Sequence, residues 1–119
     1  QKFDLAFDQL AAKEMEVGRY YLKSKNYSAA INRFRTVVEK FQTTHHTAEA
    51  LHRLVEAYIS LGLTHAAQTA VAILGHNYPD SSWYNDSYSL LGNAGLSPGA
   101  SGSGWLSQIY RQVLKGQWL

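Results

Sequence analysis

The chain has 119 residues and a formal net charge of +2, 45% of its residues are hydrophobic, and it contains no cysteine. This length suits a single domain with a real core, and the missing thiols exclude disulfides, cysteine nucleophiles and cysteine-bound metal. No apolar run approaches the about 20 residues that cross a bilayer, and the charge is too small to indicate a nucleic-acid-binding protein.

Charge is distributed unevenly along the chain. Residues 1–53 hold nine lysines and arginines, whereas residues 54–110 hold none. Depletion of charge is typical of interface cores. Either something covers part of this second half, or its serine, threonine, asparagine, glutamine and histidine residues alone keep it soluble.

The first two predicted helices form a hairpin. Helix one spans about Phe3 to Lys23, and its apolar residues follow helical spacing, interrupted at Glu14, which we expect to pair with a basic group or to lie at the rim. The apolar residues are Phe3, Phe7, Leu10, Val17 and Tyr21. After a turn in which Asn26 caps the next helix, helix two runs from about Tyr27 to Phe41. Its expected core residues are Ala30, Ile31, Phe34, Val37, Val38 and Phe41.

A second hairpin repeats the first with a period of 37 residues, which superposes Tyr21 on Tyr58. Thr47 is the expected N-cap of helix three, about Ala48 to Leu61, and Gly62 ends that helix in a left-handed conformation. Thr64 is the expected N-cap of helix four, which ends before Pro79. The expected core residues are Leu51, Leu54, Val55, Tyr58, Ile59, Ala67, Ala70, Val71 and Leu74.

The last third contains two further predicted helices. The first starts at Ser81 and is either the first helix of another hairpin or a helix that caps the repeats. The following stretch, rich in glycine and serine, predicts a flexible linker. The final helix is amphipathic with the spacing of a helix that fills a groove, and it either folds back onto the last repeat or docks into a partner. We therefore divide the chain into segments 1–43, 44–80, 81–92, 93–104 and 105–119.

The two hairpins resemble tetratricopeptide repeats. The second unit supplies that family's pattern through Leu54, Tyr58, Gly62, Ala67, Val71, Leu74 and Pro79. The resemblance implies an all-α solenoid of two helical hairpins, plus a capping helix and a tethered C-terminal helix. The first helix of each unit would line a concave groove. Because solenoids generally need about three repeats, we expect the chain to be part of a longer array.

A closer resemblance is to the BamD family of outer-membrane assembly lipoproteins. It rests on the amino-acid sequence of five segments, residues 16–22, 26–34, 49–58, 74–79 and 82–84. This resemblance implies a non-enzymatic scaffold at the periplasmic face of the bacterial outer membrane. Such a scaffold docks the last POTRA domain of BamA and other assembly lipoproteins, and reaches the membrane only through an N-terminal lipid anchor that this chain lacks.

Partner-binding residues follow from these resemblances. Asn32 and Arg33 match a family position implicated in the BamA contact, and the guanidinium suits a bidentate pair with a partner carboxylate. A solvated arginine is the alternative. The other expected contacts are Arg19, Lys23, His52 and Glu56 in the groove, with Trp105 and Ile109 on the last helix. The alternative function is a generic adaptor that holds an extended peptide in the groove.

Catalytic chemistry is not expected from this sequence. Its histidines are His45, His46, His52, His65 and His76, and no two of them form a metal-binding pair four residues apart on a helix. The adjacent side chains of His45 and His46 are expected to point in different directions. Nucleophile, phosphate-loop and dinucleotide motifs are absent. We therefore predict no catalytic residue, no metal and no cofactor.

Overall fold

The computed structural model describes residues 2–100 and 102–118, with side chains from Leu5 onward. The predictions also include residues that lie outside this described part, namely Gln1, Ser101, Leu119 and the side chain of Phe3. The helices are α1 (Lys2–Lys23), α2 (Tyr27–Lys40), α3 (Thr47–Ser60), α4 (Thr64–Asn77), α5 (Ser82–Asn93) and α6 (Trp105–Leu114). Within the described ranges there is no strand, and the all-α repeat fold is confirmed. None of the described helices combines the length and the apolar character that a membrane span requires.

Successive helices pack as hairpins. α1 packs on α2, α3 packs on α4, and α2 joins the two hairpins by packing on α3. α5 packs against both α3 and α4, so it takes the place of the first helix of a further hairpin. This arrangement leaves α1 and α3 on one side of the molecule, where a groove forms.

The core lies along the predicted apolar faces of α2, α3 and α4. Its fully buried residues include Ala30, Phe34, Val37, Val38, Leu51, Leu54, Val55, Ala67, Ala70, Val71 and Leu74. Three predicted core residues are only half-buried, namely Ile31, Phe41 and Ile59. Small side chains at Ala30 and Ala67 suit helix crossings at close range.

The buried face of α1 differs from the predicted one. Phe7 and Leu10 are 40% and 53% exposed, whereas Ala11 and Met15 are completely buried. Gly18 lies on the same face as the buried pair, because residues three and four apart share a side of a helix. The small residues Ala11 and Gly18 on this face let α2 approach more closely than larger residues could. The apolar residues with helical spacing in α1 are therefore not its buried face at Phe7 and Leu10.

Two predicted helix ends are confirmed. The side chain of Asn26 accepts a hydrogen bond from the backbone N–H of Ala29, at 3.4 Å, and so caps α2. Gly62 follows α3 with a φ of +75°, a conformation that glycine adopts without steric cost.

Two predicted N-caps are wrong. Thr47 is the first residue of α3, and its buried hydroxyl donates to the backbone carbonyls of Phe41 and Thr44 at 3.2 Å each. That hydroxyl therefore ties the helix to the preceding loop instead of capping it. Thr64 is likewise inside α4, and the N-cap position belongs to Leu63, which makes no side-chain cap.

The segment between α5 and α6 is hydrogen-bonded to α4. Gln68 donates from Nε2 to the carbonyl of Ser97 at 2.9 Å, and Thr69 donates from Oγ1 to the carbonyl of Gly99 at 3.3 Å. The N–H of Gly99 also donates to the carbonyl of Gln68. Residues in the predicted flexible linker are therefore held against the second repeat.

α6 folds back onto the chain, which is the first of the two arrangements that the sequence left open. It packs on α4, and Leu106, Ile109 and Val113 are buried. Trp105 donates from Nε1 to the hydroxyl of Tyr58 at 3.0 Å. Beyond α6, Trp118 is only 4% exposed. The C-terminal helix is therefore part of the core in this structure.

Candidate interaction surfaces

A groove forms between α1 and α3. It has a volume of about 630 Å³, and its walls are Glu16, Arg19, Tyr20, Leu22, Lys23, Tyr27, Arg53, Glu56 and Ser60. The structure therefore brings three of the predicted groove residues together, Arg19, Lys23 and Glu56. The walls mix both charges with aromatic surface.

Most charged groups in this groove pair with one another. Arg19 donates from Nη1 to both carboxylate oxygens of Glu49 at 3.1 Å. Glu49 also accepts from Nε of Arg53 at 3.1 Å, and Arg53 donates from Nη1 to Glu56 at 3.0 Å. We call these four residues the groove ion-pair network. Sequence reasoning missed Arg53, although its spacing from Glu49 and Glu56 is that of helical ion pairs.

The side chain of His52 on α3 is buried in the contact with α5. Its Nδ1 lies 2.7 Å from the hydroxyl of Ser87, and its ring lies 5.3 Å from the ring of Trp83. Its Nε2 lies 3.6 Å from a carboxylate oxygen of Glu56. Because only 6% of His52 is exposed, the structure leaves it little surface for the predicted partner contact.

The pKa of Glu56 reflects two opposing effects. Burial raises the pKa of this carboxyl group, but the neighbouring His52 ring and the hydrogen bond from Arg53 lower it by more. The net result is a pKa below the ordinary value of 4.5. Glu56 is therefore charged in the folded protein at a pH where the unfolded chain has begun to bind the proton.

This shift predicts a loss of stability in acid. The contribution of Glu56 is fully present above pH 4.5 and disappears as the pH falls through the lower pKa of the folded state, because the unfolded chain takes up the proton first. We expect the free energy of unfolding of Glu56→Gln to fall less steeply than that of the parent as the pH decreases below 7. At pH 7 the substitution should lower the free energy of unfolding by about 1 kcal/mol or less. Urea midpoints between pH 3 and 7 measure both effects. Glu16→Gln, at a position whose side chain is 71% exposed, is the control. Identical acid limbs in the two variants would contradict the prediction.

The Asn32 and Arg33 pair lies on a second surface, the outer face of α2. Arg33 donates from Nη1 to Glu14 at 3.2 Å, which confirms that Glu14 pairs with a basic group, and 43% of the arginine side chain stays exposed. The pair borders a depression of about 350 Å³, and the lining also includes Glu14, Tyr21, Ala29 and Thr36. Among the residues that the structure describes, none lines both this depression and the groove.

The two remaining predicted contacts lie on α6. Trp105 is half-buried, with the guanidinium of Arg35 4.8 Å from its ring centre, and Ile109 is 8% exposed. Both side chains are engaged by the chain itself. The predicted contacts therefore fall on four separate places: the groove, the buried contact of His52 with α5, the α2 face and the covered face of α6.

A cluster of possible metal ligands lies between α1 and the loop before α3. The rings of His45 and His46 are 4.0 Å apart, and both approach Asp8. The expectation that these rings diverge is wrong, because the loop backbone turns between the two residues so that both face α1. Burial and the neighbouring His45 lower the pKa of His46, which keeps its imidazole neutral at pH 7.

Comparison with known proteins identifies the family. The model of the YfiO family, described as an outer membrane lipoprotein, matches residues 1–74. Over 97 residues the chain is 54% identical to the outer membrane protein assembly factor BamD of Caulobacter vibrioides, which covers 82% of this chain and 32% of that relative. Over 92 residues it is 54% identical to the BamD of Rickettsia prowazekii, covering 77% of this chain and 37% of that relative.

The chain spans about a third of the length of these two relatives. No solved structure matches it significantly. The family model covers more than half of the chain, and the matches to the two BamD proteins cover most of it. The BamD resemblance seen in the sequence is thereby confirmed, and the chain belongs to the YfiO family of outer membrane lipoproteins.

Proposed function

We propose that this chain is a non-enzymatic scaffold for protein–protein contacts in the assembly of outer membrane proteins, at the periplasmic face of the outer membrane. The observation that carries the proposal is 54% identity to two proteins named as outer membrane protein assembly factors. The groove chemistry supports it as well. Arg19, Glu49, Arg53 and Glu56 neutralise one another as ion pairs, which is how structural charges behave, whereas an active site converges titratable groups on a substrate.

Within this function, the α2 face is the docking surface for a POTRA domain of BamA. Arg33 uses Nη1 for Glu14, and much of its guanidinium still faces solvent. A planar fork of this kind pairs bidentately with a carboxylate of a partner. Asn32 is exposed beside it and adds an amide that both donates and accepts hydrogen bonds. Accessory lipoproteins would use the neighbouring groove.

Reversing the charge at this position tests the docking surface. We expect Arg33→Glu to weaken binding of the isolated BamA POTRA domains about tenfold or more, because the new carboxylate repels both the partner and Glu14. Isothermal titration calorimetry at low and moderate salt measures the affinity. Circular dichroism of the variant should retain the helical signal of the parent.

Two matched variants sharpen this test. Glu14→Gln removes the internal partner of Arg33, so we expect unchanged or tighter binding. Arg111→Glu makes the same charge reversal on the exposed side of α6 and should have little effect. Equal weakening by Arg33→Glu and Arg111→Glu would indicate a general charge effect and would remove Arg33 from the site.

The groove supports a second function, that of a generic repeat adaptor for an extended peptide. Its volume of about 630 Å³ accommodates several side chains, and Tyr20 is 66% exposed at its wall. Arg19 and Glu56 are poor probes of this function, because substituting either one also removes one of the ion pairs that its partner makes in the groove ion-pair network. Tyr20→Ser and Lys23→Glu are cleaner. If these two variants weaken partner binding and Arg33→Glu does not, the groove is the binding surface.

A further inference from the structure

Asp8, His45 and His46 converge at one point of the fold. Asp8 projects from α1, and the two histidines lie just before α3. The Oδ1 atom of Asp8 is 3.0 Å from Nδ1 of His45 and 3.4 Å from Nε2 of His46. One potential ligand atom from each residue lies within 4.8 Å of the others. None of the three residues lines the groove or the depression beside Arg33.

These distances match the edges of a zinc coordination shell. A tetrahedral zinc ion holds nitrogen and oxygen ligands at about 2.0–2.1 Å, which places neighbouring ligand atoms about 3.3 Å apart. The two distances to Asp8 bracket that value. The side chain of His45 is 76% exposed, so its ring has room to rotate towards a bound ion.

The state of His46 provides an independent observation. Its Nε2 atom is buried, yet within the described part of the chain it has no hydrogen-bond partner of acceptable geometry, although it lies 3.4 Å from the Asp8 carboxylate. A buried polar atom of this kind is unfavourable unless something satisfies it. A metal bond from a neutral imidazole would do so.

We propose that Asp8, His45 and His46 bind a zinc ion, with water in the remaining coordination position. Two imidazoles and one carboxylate suit zinc and related transition metals, whereas calcium and magnesium prefer oxygen ligands. The ion would link α1 to the loop between α2 and α3. Close to this point, Phe7 of α1 also packs edge-on against Phe41, with the ring centres 5.7 Å apart. The bound ion would therefore act as a clamp on the first half of α1.

Zinc titration of the metal-free chain, without a histidine tag, tests this proposal. We expect one zinc ion per chain by calorimetry near neutral pH, and at least tenfold weaker binding in Asp8→Asn and in His46→Asn. His76→Asn, a change at an exposed histidine on α4, is the matched control and should bind like the parent. Zinc should also raise the thermal midpoint of the parent and of His76→Asn more than that of the other two variants.

Cobalt and calcium provide two further readouts. Cobalt in this site should give the intense visible absorption of a four-coordinate ion, and calcium should give no binding heat. His45→Asn provides a test at an exposed position should His46→Asn not fold. Absence of zinc binding by the folded parent at tens of micromolar would overturn the proposal. Unchanged affinity in Asp8→Asn and His45→Asn would overturn it equally, because the ion would then bind elsewhere.

Discussion

Replacing Phe34 with alanine is expected to lower the free energy of unfolding by about 3–5 kcal/mol. Phe34 is among the largest fully buried side chains, and its ring fills the space that Gly18 leaves open on α1. Loss of the ring would open a cavity at the crossing of α1 and α2, which a packed interior cannot fully close. Urea denaturation followed by circular dichroism measures the change. Phe34→Leu should cost less and serves if the alanine variant does not fold.

Gly18 provides a coupled test of the same contact. A Cβ atom at Gly18 would lie 2.6 Å from Cε1 of Phe34, so Gly18→Ala should destabilise the parent by about 1–3 kcal/mol through overpacking. In the Phe34→Ala background the clash is gone, and alanine should stabilise the helix by about 1 kcal/mol relative to glycine. The expected result is that Gly18→Ala destabilises the parent but stabilises the Phe34→Ala variant. Additive effects of the two substitutions would mean that the ring does not occupy this space.

The repeat itself was predictable because its determinants are local. Helical spacing of apolar residues, the cap at Asn26 and the glycine at Gly62 act within a few positions of the sequence. The superposition of Tyr21 on Tyr58 at a shift of 37 residues then implied two similar hairpins. These features sufficed to predict four helices whose observed ends differ from the predictions by about one residue.

Features that depend on contacts between distant segments were not predictable. The face that α1 buries was misassigned because Phe7 and Leu10 are more hydrophobic than Ala11, while close approach of α2 favours the small residue. The proposed zinc ligands bring Asp8 of α1 close to His45, which follows α2 in the sequence. Metal-binding motifs with a fixed spacing of ligands do not span so many residues. Of the predicted groove residues, Arg19, Lys23 and Glu56 line the groove and His52 does not. The ion pairing in the groove depends on Glu49 of α3 reaching Arg19 of α1.

The packing of α4 accounts for part of the stretch without lysine and arginine, residues 54–110. α4 packs against α3, α5 and α6, and it also binds the segment at Ser97 and Gly99. A helix enclosed on so many sides has little room for charged side chains. At α4, the group that covers the surface is therefore the chain's own C-terminal part.

Replacing Ile109 with alanine is accordingly expected to destabilise the repeats themselves, by about 2–4 kcal/mol. Ile109 is 8% exposed on the face of α6 that meets α4, and its truncation leaves a gap beside the second hairpin. The urea midpoint should fall by about 1–2 M at an ordinary denaturant dependence. Circular dichroism and tryptophan fluorescence should report the same transition, because α6 unfolds together with the core.

Leu114 supplies the matched control on the same helix, since it is 56% exposed. Leu114→Ala should change stability by about 0.5 kcal/mol or less. Equal, small effects of the two substitutions would mean that α6 does not rest on α4 in solution. In that case Trp105 and Ile109 would be free to dock into a partner, as the sequence alone also allowed. A large effect confined to Ile109→Ala would instead make the covered face of α6 a structural element, and the partner contacts would belong to the groove and the α2 face.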